Sequence, residues 1–226
     1  LVASLLALTA VAAVILRTAM TVHELHTGSE SYRLARTDEL TSLTNRRGFL
    51  EGLDRLIEVA PGTVAVMIID LNGFKEVNDS LGHHAGDELL RLVADRFRPV
   101  VGDAGLLARL GGDEFGIVIM APDDRAAIDG AELLQRSLDE AFVVDEISVR
   151  VGAAIGVALY PGHSRTRSGV LRSGDVAMCD AKHRRTGVEM YRPASDFQNR
   201  EKNRRIVLVG RGIAPRSTMS SPASCA

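Results

Sequence analysis

The most constraining feature of the sequence is a short apolar hairpin with two adjacent carboxylates at its tip. Leu106 to Ala121 reads LLARLGGDEFGIVIMA, two apolar runs separated by Gly111-Gly112-Asp113-Glu114. A glycine pair favours a tight turn, because glycine adopts positive φ without a clash from a Cβ atom. The turn itself requires no carboxylates. Asp113 and Glu114 are therefore either solvated turn residues or part of a site, and the rest of the chain favours the site.

Composition narrows the classes of protein that the chain can represent. Its 226 residues are 46% hydrophobic, which suffices for one sizeable domain with appendages. The 27 Lys and Arg residues against 29 Asp and Glu give a net charge of -2. The chain therefore lacks the overall positive charge expected of a protein that binds a nucleic-acid polymer.

The first residues predict a membrane anchor. Leu1 to Leu16 is an uninterrupted run of apolar and small residues that ends at Arg17. A full span needs about 20 apolar residues, so residues 1–20 are predicted to be part of a transmembrane helix that begins before this sequence. The arginines that follow place the remainder in the cytoplasm, at the cell inner membrane. A signal peptide is the alternative. Residues 21–36 are predicted to form a stalk or linker helix.

Helical and strand patterns alternate from residue 37 onward. Thr44 or Asn45 can cap a helix that ends at Pro61-Gly62. Thr63 to Leu71 is rich in β-branched residues and predicts a buried central strand, which ends with Asp70 at its tip. Residues 72–79 are then predicted as a turn, followed by an amphipathic helix through residues 89–97.

The elements after the hairpin complete the expected fold. A helix is predicted over 122–142, a long or bent strand over 147–160 with bulges at Gly152 and Gly156, a helix over 170–185 and a strand over 188–191. This order predicts an α+β fold, in which helices pack on a mainly antiparallel central sheet.

The predicted topology brings chemically useful residues to one sheet edge. Asp70 and Asp113 meet if their strands are neighbours, and two carboxylates with the carbonyl of Leu71 form a site for a hard cation such as Mg²⁺. The backbone N–H groups of the segment Gly73-Phe74-Lys75, with the Lys75 ammonium, could hold a triphosphate beside it.

Two further polar residues follow on the same rim. Asn78 and Asp87 have side chains suited to a purine, since a carboxylate accepts from the N1–H and N2–H groups of guanine. Each residue taken singly is better explained as a helix cap or a solvated turn residue. Their occurrence at one edge favours a nucleotide site.

These motifs resemble those of the GGDEF diguanylate cyclases. The matching residues are Asp38-x-Leu40-Thr41-Ser42-Leu43-x-Asn45-Arg46-Arg47, Asp70-Leu71-Asn72-Gly73-Phe74-Lys75-x-x-Asn78-Asp79, Gly82-His83-x-x-Gly86-Asp87, Ala108-Arg109-Leu110-Gly111-Gly112-Asp113-Glu114-Phe115 and Ala181-Lys182. The resemblance covers about Thr37 to Tyr191, and residues 37–193 are assigned to this domain. It implies a fold like that of nucleotidyl cyclases and polymerase palms. It also implies a homodimer that joins two GTP molecules into cyclic di-GMP and releases pyrophosphate.

The resemblance also implies roles for individual residues. Asp70 and Asp113 are expected to bind Mg²⁺ or, alternatively, Mn²⁺ through their side chains, and Leu71 through its carbonyl. Glu114 is expected to help deprotonate the 3′-hydroxyl. Phosphate contacts are expected from Phe74, Lys75 and Lys182, with Lys75 also stabilising charge in the transition state. The expected guanine or other substrate contacts are Asn78, His83 and Asp87. For His83, a purely structural hydrogen bond remains an equal alternative.

The sequence departs from the family pattern after Lys182. Family members usually continue as Ala-Lys-x-x-Gly-Arg, whereas the expected arginine here aligns with Thr186. Arg184 or Arg185 must therefore reach the phosphates, or that contact is lost. Asn72 stands where a second aspartate is common, which should be tolerated because Asp70 is the expected ligand.

A second departure concerns regulation. Many members carry an Arg-x-x-Asp pair shortly before the glycine turn, where the pair binds the cyclic product and stops synthesis. Those two positions are Gly102 and Gly105 here. Neither glycine offers a guanidinium or a carboxylate, so we expect an enzyme without this form of product inhibition.

The C-terminal residues 194–226 form a connector and a tail that is predicted to be disordered. Residues 195–210 resemble the linker that joins some members to an EAL phosphodiesterase domain, so an EAL-type domain is one candidate partner, although none follows in this sequence. Two functions remain: a membrane-attached diguanylate cyclase, or a catalytically inactive GTP-binding regulatory module. The sequence does not identify the input signal, the dimer geometry or the downstream effector.

Overall fold

A computed structural model describes residue 17 and residues 35–59 and 62–193 of the chain. Apart from Arg17 and the last residues of the stalk, the predicted membrane segment, stalk and C-terminal tail lie outside the described residues. No helix within the described ranges combines the length and apolar character needed to cross a membrane.

Between residues 44 and 190 the described chain forms eight strands and five helices. The strands are β1 (Thr44–Asn45), β2 (Val64–Asn72), β3 (Leu106–Gly111), β4 (Glu114–Met120), β5 (Phe142–Val144), β6 (Ile147–Val149), β7 (Gly152–Tyr160) and β8 (Val188–Met190). The helices are α1 (Arg46–Val59), α2 (Phe74–Leu81), α3 (His83–Val101), α4 (Asp124–Arg136) and α5 (Arg167–Arg184).

Six strands form the central sheet, in the order β1-β3-β4-β2-β7-β8. The three inner pairs are antiparallel, whereas β1 and β8 pair in parallel at the two edges. The predicted α+β fold with a mainly antiparallel sheet is therefore confirmed.

Strand β2 lies at the centre because both of its faces are apolar. Ala65, Met67 and Ile69 belong to the core that also contains residues of α2, α3 and α4, whereas Val64 and Ile68 belong to the core shared with α1 and α5. The apolar run, rich in β-branched residues, predicted a buried central strand, and this prediction is confirmed. The sheet is the middle one of three layers.

The hairpin is also confirmed. Gly111 pairs with Glu114 across the turn, and Gly111 and Gly112 have φ values of 146° and 52°. The pairing register shifts between Arg109 and Gly111, which marks a β-bulge next to the turn. The bulge and the glycine backbone together set the direction in which the turn carboxylates leave the sheet.

Three predicted elements are wrong in type or extent. Residues 72–79 are mostly helical rather than a turn, because α2 begins directly after Gly73. The predicted helix over 122–142 ends at Arg136, since Phe142–Val144 forms a hairpin with Ile147–Val149. The predicted strand over 147–160 is consequently divided between this small sheet and β7.

The predicted bulges in β7 are absent, since this strand pairs with β2 in an unbroken register from Gly152 to Tyr160. Gly156 has a different purpose. A Cβ atom there would lie 2.1 Å from the carbonyl oxygen of Gly174 and 2.1 Å from the backbone nitrogen of Met178. The glycine therefore lets α5 approach the sheet closely.

Candidate active site

The edge at which β2 ends collects most of the predicted site residues. Asp70 of β2 lies opposite Glu114 of β4 in the antiparallel register. The backbone N–H of Leu71 donates a hydrogen bond to the carbonyl oxygen of Asp113 at 3.3 Å. The structure thus brings Asp70, Leu71, Asp113 and Glu114 together, as the sequence predicted for neighbouring strands.

Lys182 reaches the same place from the last turn of α5. Its Nζ atom lies 3.0 and 3.2 Å from the two carboxylate oxygens of Asp70, which is itself buried. The helix that carries Lys182 is the one that packs closely on the sheet at Gly156. Lys182 was predicted to bind phosphate, and in this structure its partner is the predicted metal ligand.

The hairpin carboxylates are under-compensated in charge. Burial raises the pKa of Asp113, and the negative charge of Asp70 adds to the increase. Burial also raises the pKa of Glu114, again with a contribution from Asp70, whereas Arg46 opposes the change. Lys182 lowers both pKa values, together with Arg109 at Asp113 and Arg46 at Glu114, but the net shifts remain upward, so the site favours further positive charge.

The donor set suits a divalent cation. Within the described ranges, no group of three or more His, Cys, Asp or Glu residues is arranged to hold a metal ion. Asp70, Asp113 and the carbonyl of Leu71 provide hard oxygen donors, and Mg²⁺ commonly binds one or two carboxylates while substrate phosphates and water complete its shell. The ammonium on Asp70 shows that this carboxylate accommodates a cation. The residues therefore fit Mg²⁺ bound together with a nucleotide.

The start of α2 lies immediately beyond β2. Gly73 has φ 82° and precedes the helix without a side-chain cap, so no cap side chain occupies the N–H groups of Phe74 and Lys75. Phe74 is half-buried and Lys75 is exposed. Free N–H groups at a helix N-terminus bind anions, which fits the predicted phosphate contacts.

The predicted guanine contacts lie on α2 and α3. A Cβ atom on Gly86 would lie 2.0 Å from Oδ1 of Asn78, so the Asn78 side chain lies against α3, next to the position of Asp87. His83 is the first residue of α3 and is exposed. Among the described residues, no hydrogen bond or ion pair joins these three side chains to the carboxylates around Asp70.

Arg109 is a site residue that the sequence reasoning did not single out. Its Nε atom donates to the carbonyl oxygen of Gly112 at 2.9 Å, and Nη1 lies 3.2 Å from both carboxylate oxygens of Asp38. Arg109 therefore ties the hairpin turn to the segment before β1. A lone arginine in an apolar strand, three residues before the turn, was the available signal.

Asp175 of α5 was missed as well. Although solvent reaches this residue, burial of its carboxylate raises the pKa to about 6, with a further contribution from Glu114, while Arg46 lowers it. The signal was weak, since this helix contains two aspartates, Asp175 and Asp180, and the sequence alone does not distinguish them.

The two departures from the family pattern can also be located. Arg184 lies 3.8 Å from Glu189, and the Thr186 hydroxyl donates to Glu189 at 3.1 Å. Gly102 caps α3 with φ 66°, and Gly105 follows in the loop before β3. These glycines offer no charged group at the two positions where the family pair is expected.

Comparison with known proteins identifies relatives along most of the described chain. Residues 35–187 match the family model described as "Diguanylate cyclase, GGDEF domain". The bifunctional diguanylate cyclase/cyclic di-GMP phosphodiesterase MucR of Pseudomonas aeruginosa is 42% identical over 156 residues, covering 68% of this chain and 23% of MucR. The cyclic di-GMP phosphodiesterase NbdA of the same species is 34% identical over 160 residues, covering 70% of this chain and 20% of NbdA. The aligned part is thus about a fifth of each relative.

A solved structure shows the same fold. The isolated GGDEF domain of TpbB (YfiN) from Pseudomonas aeruginosa matches with a TM-score of 0.69 at 36% identity. The match covers 73% of this chain and 99% of the TpbB domain.

Proposed function

This chain belongs to the GGDEF family of diguanylate cyclases, and we propose that it condenses two GTP molecules into cyclic di-GMP and two pyrophosphates as a Mg²⁺-dependent homodimer. The observation that supports this most is the in-register pair Asp70 and Glu114, with Asp113 at the adjoining turn and raised pKa values at both hairpin carboxylates. Such an uncompensated acidic site suits a cation held together with a polyphosphate.

In the proposed reaction, the 3′-oxygen of one GTP attacks the α-phosphorus of the other. The bond between that phosphorus and the α–β bridging oxygen breaks, and pyrophosphate leaves. Asp70, Asp113 and the Leu71 carbonyl would hold Mg²⁺, which supplies positive charge at the phosphates. Glu114 would accept the proton of the 3′-hydroxyl, and its raised pKa makes it a stronger base than an ordinary glutamate.

The remaining residues bind and orient the substrate. The N-terminus of α2 and the Lys75 ammonium hold phosphate oxygens, with Phe74 at the same helix start. Lys182 exchanges its carboxylate partner for phosphate when nucleotide and cation arrive. Asn78 and Asp87 read the guanine edge, and His83 contacts the substrate from the start of α3.

The homodimer follows from the symmetry of the reaction. Two equivalent phosphodiester bonds form between two identical substrates, and one described chain presents one such acidic site. A two-fold dimer places two sites face to face and makes both bonds by the same chemistry.

The decisive experiment incubates the purified chain with GTP and Mg²⁺ and separates the products by chromatography. We expect cyclic di-GMP and pyrophosphate, and none of either when ATP replaces GTP or when EDTA removes the cation. GTP binding without any cyclic dinucleotide would contradict the cyclase assignment. That outcome would support the second candidate, an inactive GTP-binding regulatory module, which Thr186 in place of the family arginine favours.

We also propose that the chain is attached to the cell inner membrane with its catalytic domain in the cytoplasm. The apolar run of residues 1–16 and the arginines after it support this proposal. Fractionation of cells expressing the chain, with and without residues 1–20, would test it. Recovery of the intact chain in the soluble fraction would contradict it.

A further inference from the structure

A cavity beside Lys182 has the lining expected of an anion site. It has a volume of about 440 Å³ and lies where the C-terminal end of α5 faces the ends of β2 and β7. Lys182 and Arg185 line it together with the polar side chains of Asn72, Gln135 and Thr186. None of the described residues that line it is acidic. Two cationic side chains, of which Lys182 also pairs with Asp70, and three neutral polar groups around one cavity match the needs of phosphate oxygens.

The backbone of Arg185 is held in a conformation that favours glycine. Arg185 caps α5 with φ 56° and ψ 36°, in the left-handed region, and its N–H donates to the carbonyl oxygen of Ala181. The N–H of Thr186 donates to the same oxygen at 3.2 Å. Glycine is the usual residue at this position of a helix end, because a Cβ atom is disfavoured there. An arginine at such a position is unfavourable for folding, and outliers of this kind concentrate at functional sites.

The neighbouring arginine provides a contrast. Arg184 lies 3.8 Å from Glu189, which also accepts the hydrogen bond from Thr186. The Arg185 side chain, in contrast, forms no ion pair or hydrogen bond with the described residues and is exposed at the cavity. The guanidinium of Arg185 is therefore available to a ligand, whereas that of Arg184 is already engaged.

We propose that Arg185 binds the β- and γ-phosphates of the nucleotide in this cavity, next to Lys182. This inference rests on the proposed function and resolves which of the two arginines reaches the phosphates. A guanidinium presents paired N–H donors that match two phosphate oxygens, and so it adds a bidentate contact to the point charge of the lysine. The left-handed backbone places this donor at the cavity, at a cost in stability.

The proposal predicts opposite effects of one substitution on folding and on binding. Arg185→Gly removes both the strained Cβ and the guanidinium. We expect the melting temperature of the nucleotide-free chain to rise by about 2–4 °C. We expect the Kd for a triphosphate to increase by about tenfold. A residue with only a structural role would not weaken binding while stabilising the fold.

Calorimetry on the full chain in Mg²⁺ would test this, with guanosine α,β-methylene triphosphate and GMP as probes. The methylene group replaces the bridging oxygen whose bond breaks in the reaction, so the analogue binds without being consumed. Arg185→Gly and Arg185→Asn, which keeps a residue tolerant of positive φ, should both weaken the triphosphate analogue and leave GMP unchanged. The matched control Arg184→Ala should bind both probes like the wild type.

Two outcomes would overturn the proposal, and they differ. If both Arg185 variants bind the analogue as tightly as the wild type does, the role of Arg185 is refuted and the proposed function still stands. A wild type that binds neither probe would overturn the proposed function and, with it, this inference.

Discussion

Arg109 joins two regions of the molecule, the segment of Asp38 and the hairpin turn, and the carboxylates of these two regions have pKa values shifted in opposite directions. Asp38 accepts hydrogen bonds from the Thr41 N–H at 2.9 Å and hydroxyl at 2.7 Å, and it pairs with Arg109. Burial alone would raise its pKa, but these hydrogen bonds and the Arg109 charge lower it below the ordinary value. At Asp113 and Glu114, burial and neighbouring carboxylates raise the pKa instead.

The contrast separates a structural carboxylate from candidate catalytic ones. The charge of Asp38 is compensated within the chain, so its ionisation stabilises the fold. The charges of Asp113 and Glu114 are incompletely compensated, so their ionisation opposes folding, and a bound cation would relieve this cost. Arg109 connects the two regions, since it donates to the Gly112 carbonyl oxygen, and its charge lowers the pKa of Asp113 without reversing the net increase. Uncompensated charge of this kind is typical of functional sites.

The largest expected effect is on turnover at Asp113. Asp113→Ala should reduce the rate of cyclic di-GMP synthesis by at least ~10²-fold, since it removes a proposed ligand of the Mg²⁺ that would supply positive charge at the reacting phosphates. The free energy of unfolding of the metal-free chain near neutral pH should be unchanged or higher, because a repulsive carboxylate is lost. Initial rates and urea unfolding would measure both quantities.

Asp103→Ala, an exposed acid in the loop before β3, is the matched control and should keep the wild-type rate. Near-native synthesis by Asp113→Ala at millimolar Mg²⁺ would show that this residue is not a metal ligand.

The next effect is on stability at Asp38. Asp38→Ala removes the partners of Thr41 and Arg109, and we expect it to lower the free energy of unfolding by about 1–2 kcal/mol. The exposed neighbour Glu39 provides the control, since Glu39→Ala should leave the unfolding midpoint unchanged. If Asp38→Ala were as stable as the wild type, the comparison between the two carboxylate sites would fail.

A smaller effect concerns how stability depends on pH, and here Asp38 and Asp175 should act in opposite directions. The pKa of Asp175 rises from 3.8 to about 6 on folding, so its stabilising contribution is present below 3.8 and is lost as pH rises through about 6. The pKa of Asp38 is lowered on folding, so its contribution is present above 3.8 and is lost as pH falls through the folded pKa.

Urea unfolding in EDTA at several pH values would measure these contributions. Between about pH 4 and pH 7, Asp175→Asn should lose less stability than the wild type as pH rises. Asp38→Asn should lose less than the wild type when the pH falls below about 4. Parallel pH profiles for the wild type and both variants would contradict these assignments.

The smallest expected effect is none at all. If uncompensated charge marks the ligand sites, positions 102 and 105 should not form a binding site for the cyclic product, because both are glycines and have no charged side chain. Micromolar cyclic di-GMP should therefore not change the initial rate of synthesis. A saturable fall in rate, with a tight site detected by calorimetry, would contradict this. Variants of Arg36 and Arg55, which line a cavity of about 500 Å³ together with Gly105, would then be the first to examine.

The sequence by itself determined the elements whose signals are local. The apolar run of β2 and the glycine pair of the hairpin each have one good structural solution, because periodicity and positive φ act over a few residues. The cap at Asn45 is of the same kind, since its Oδ1 accepts from the Gly48 N–H at 3.0 Å. With neighbouring strands assumed, these signals also placed Asp70 beside the turn carboxylates.

The tertiary structure decided everything that depends on packing between distant segments. Gly156 was mistaken for a bulge because only the approach of α5, through Gly174 and Met178, reveals why a side chain is excluded there. Lys182 lies on Asp70, 112 residues away in sequence, and no local pattern encodes that distance. The raised pKa values and the free guanidinium of Arg185 likewise result from which groups meet in three dimensions, since burial and Coulomb interactions depend on spatial and not sequential proximity.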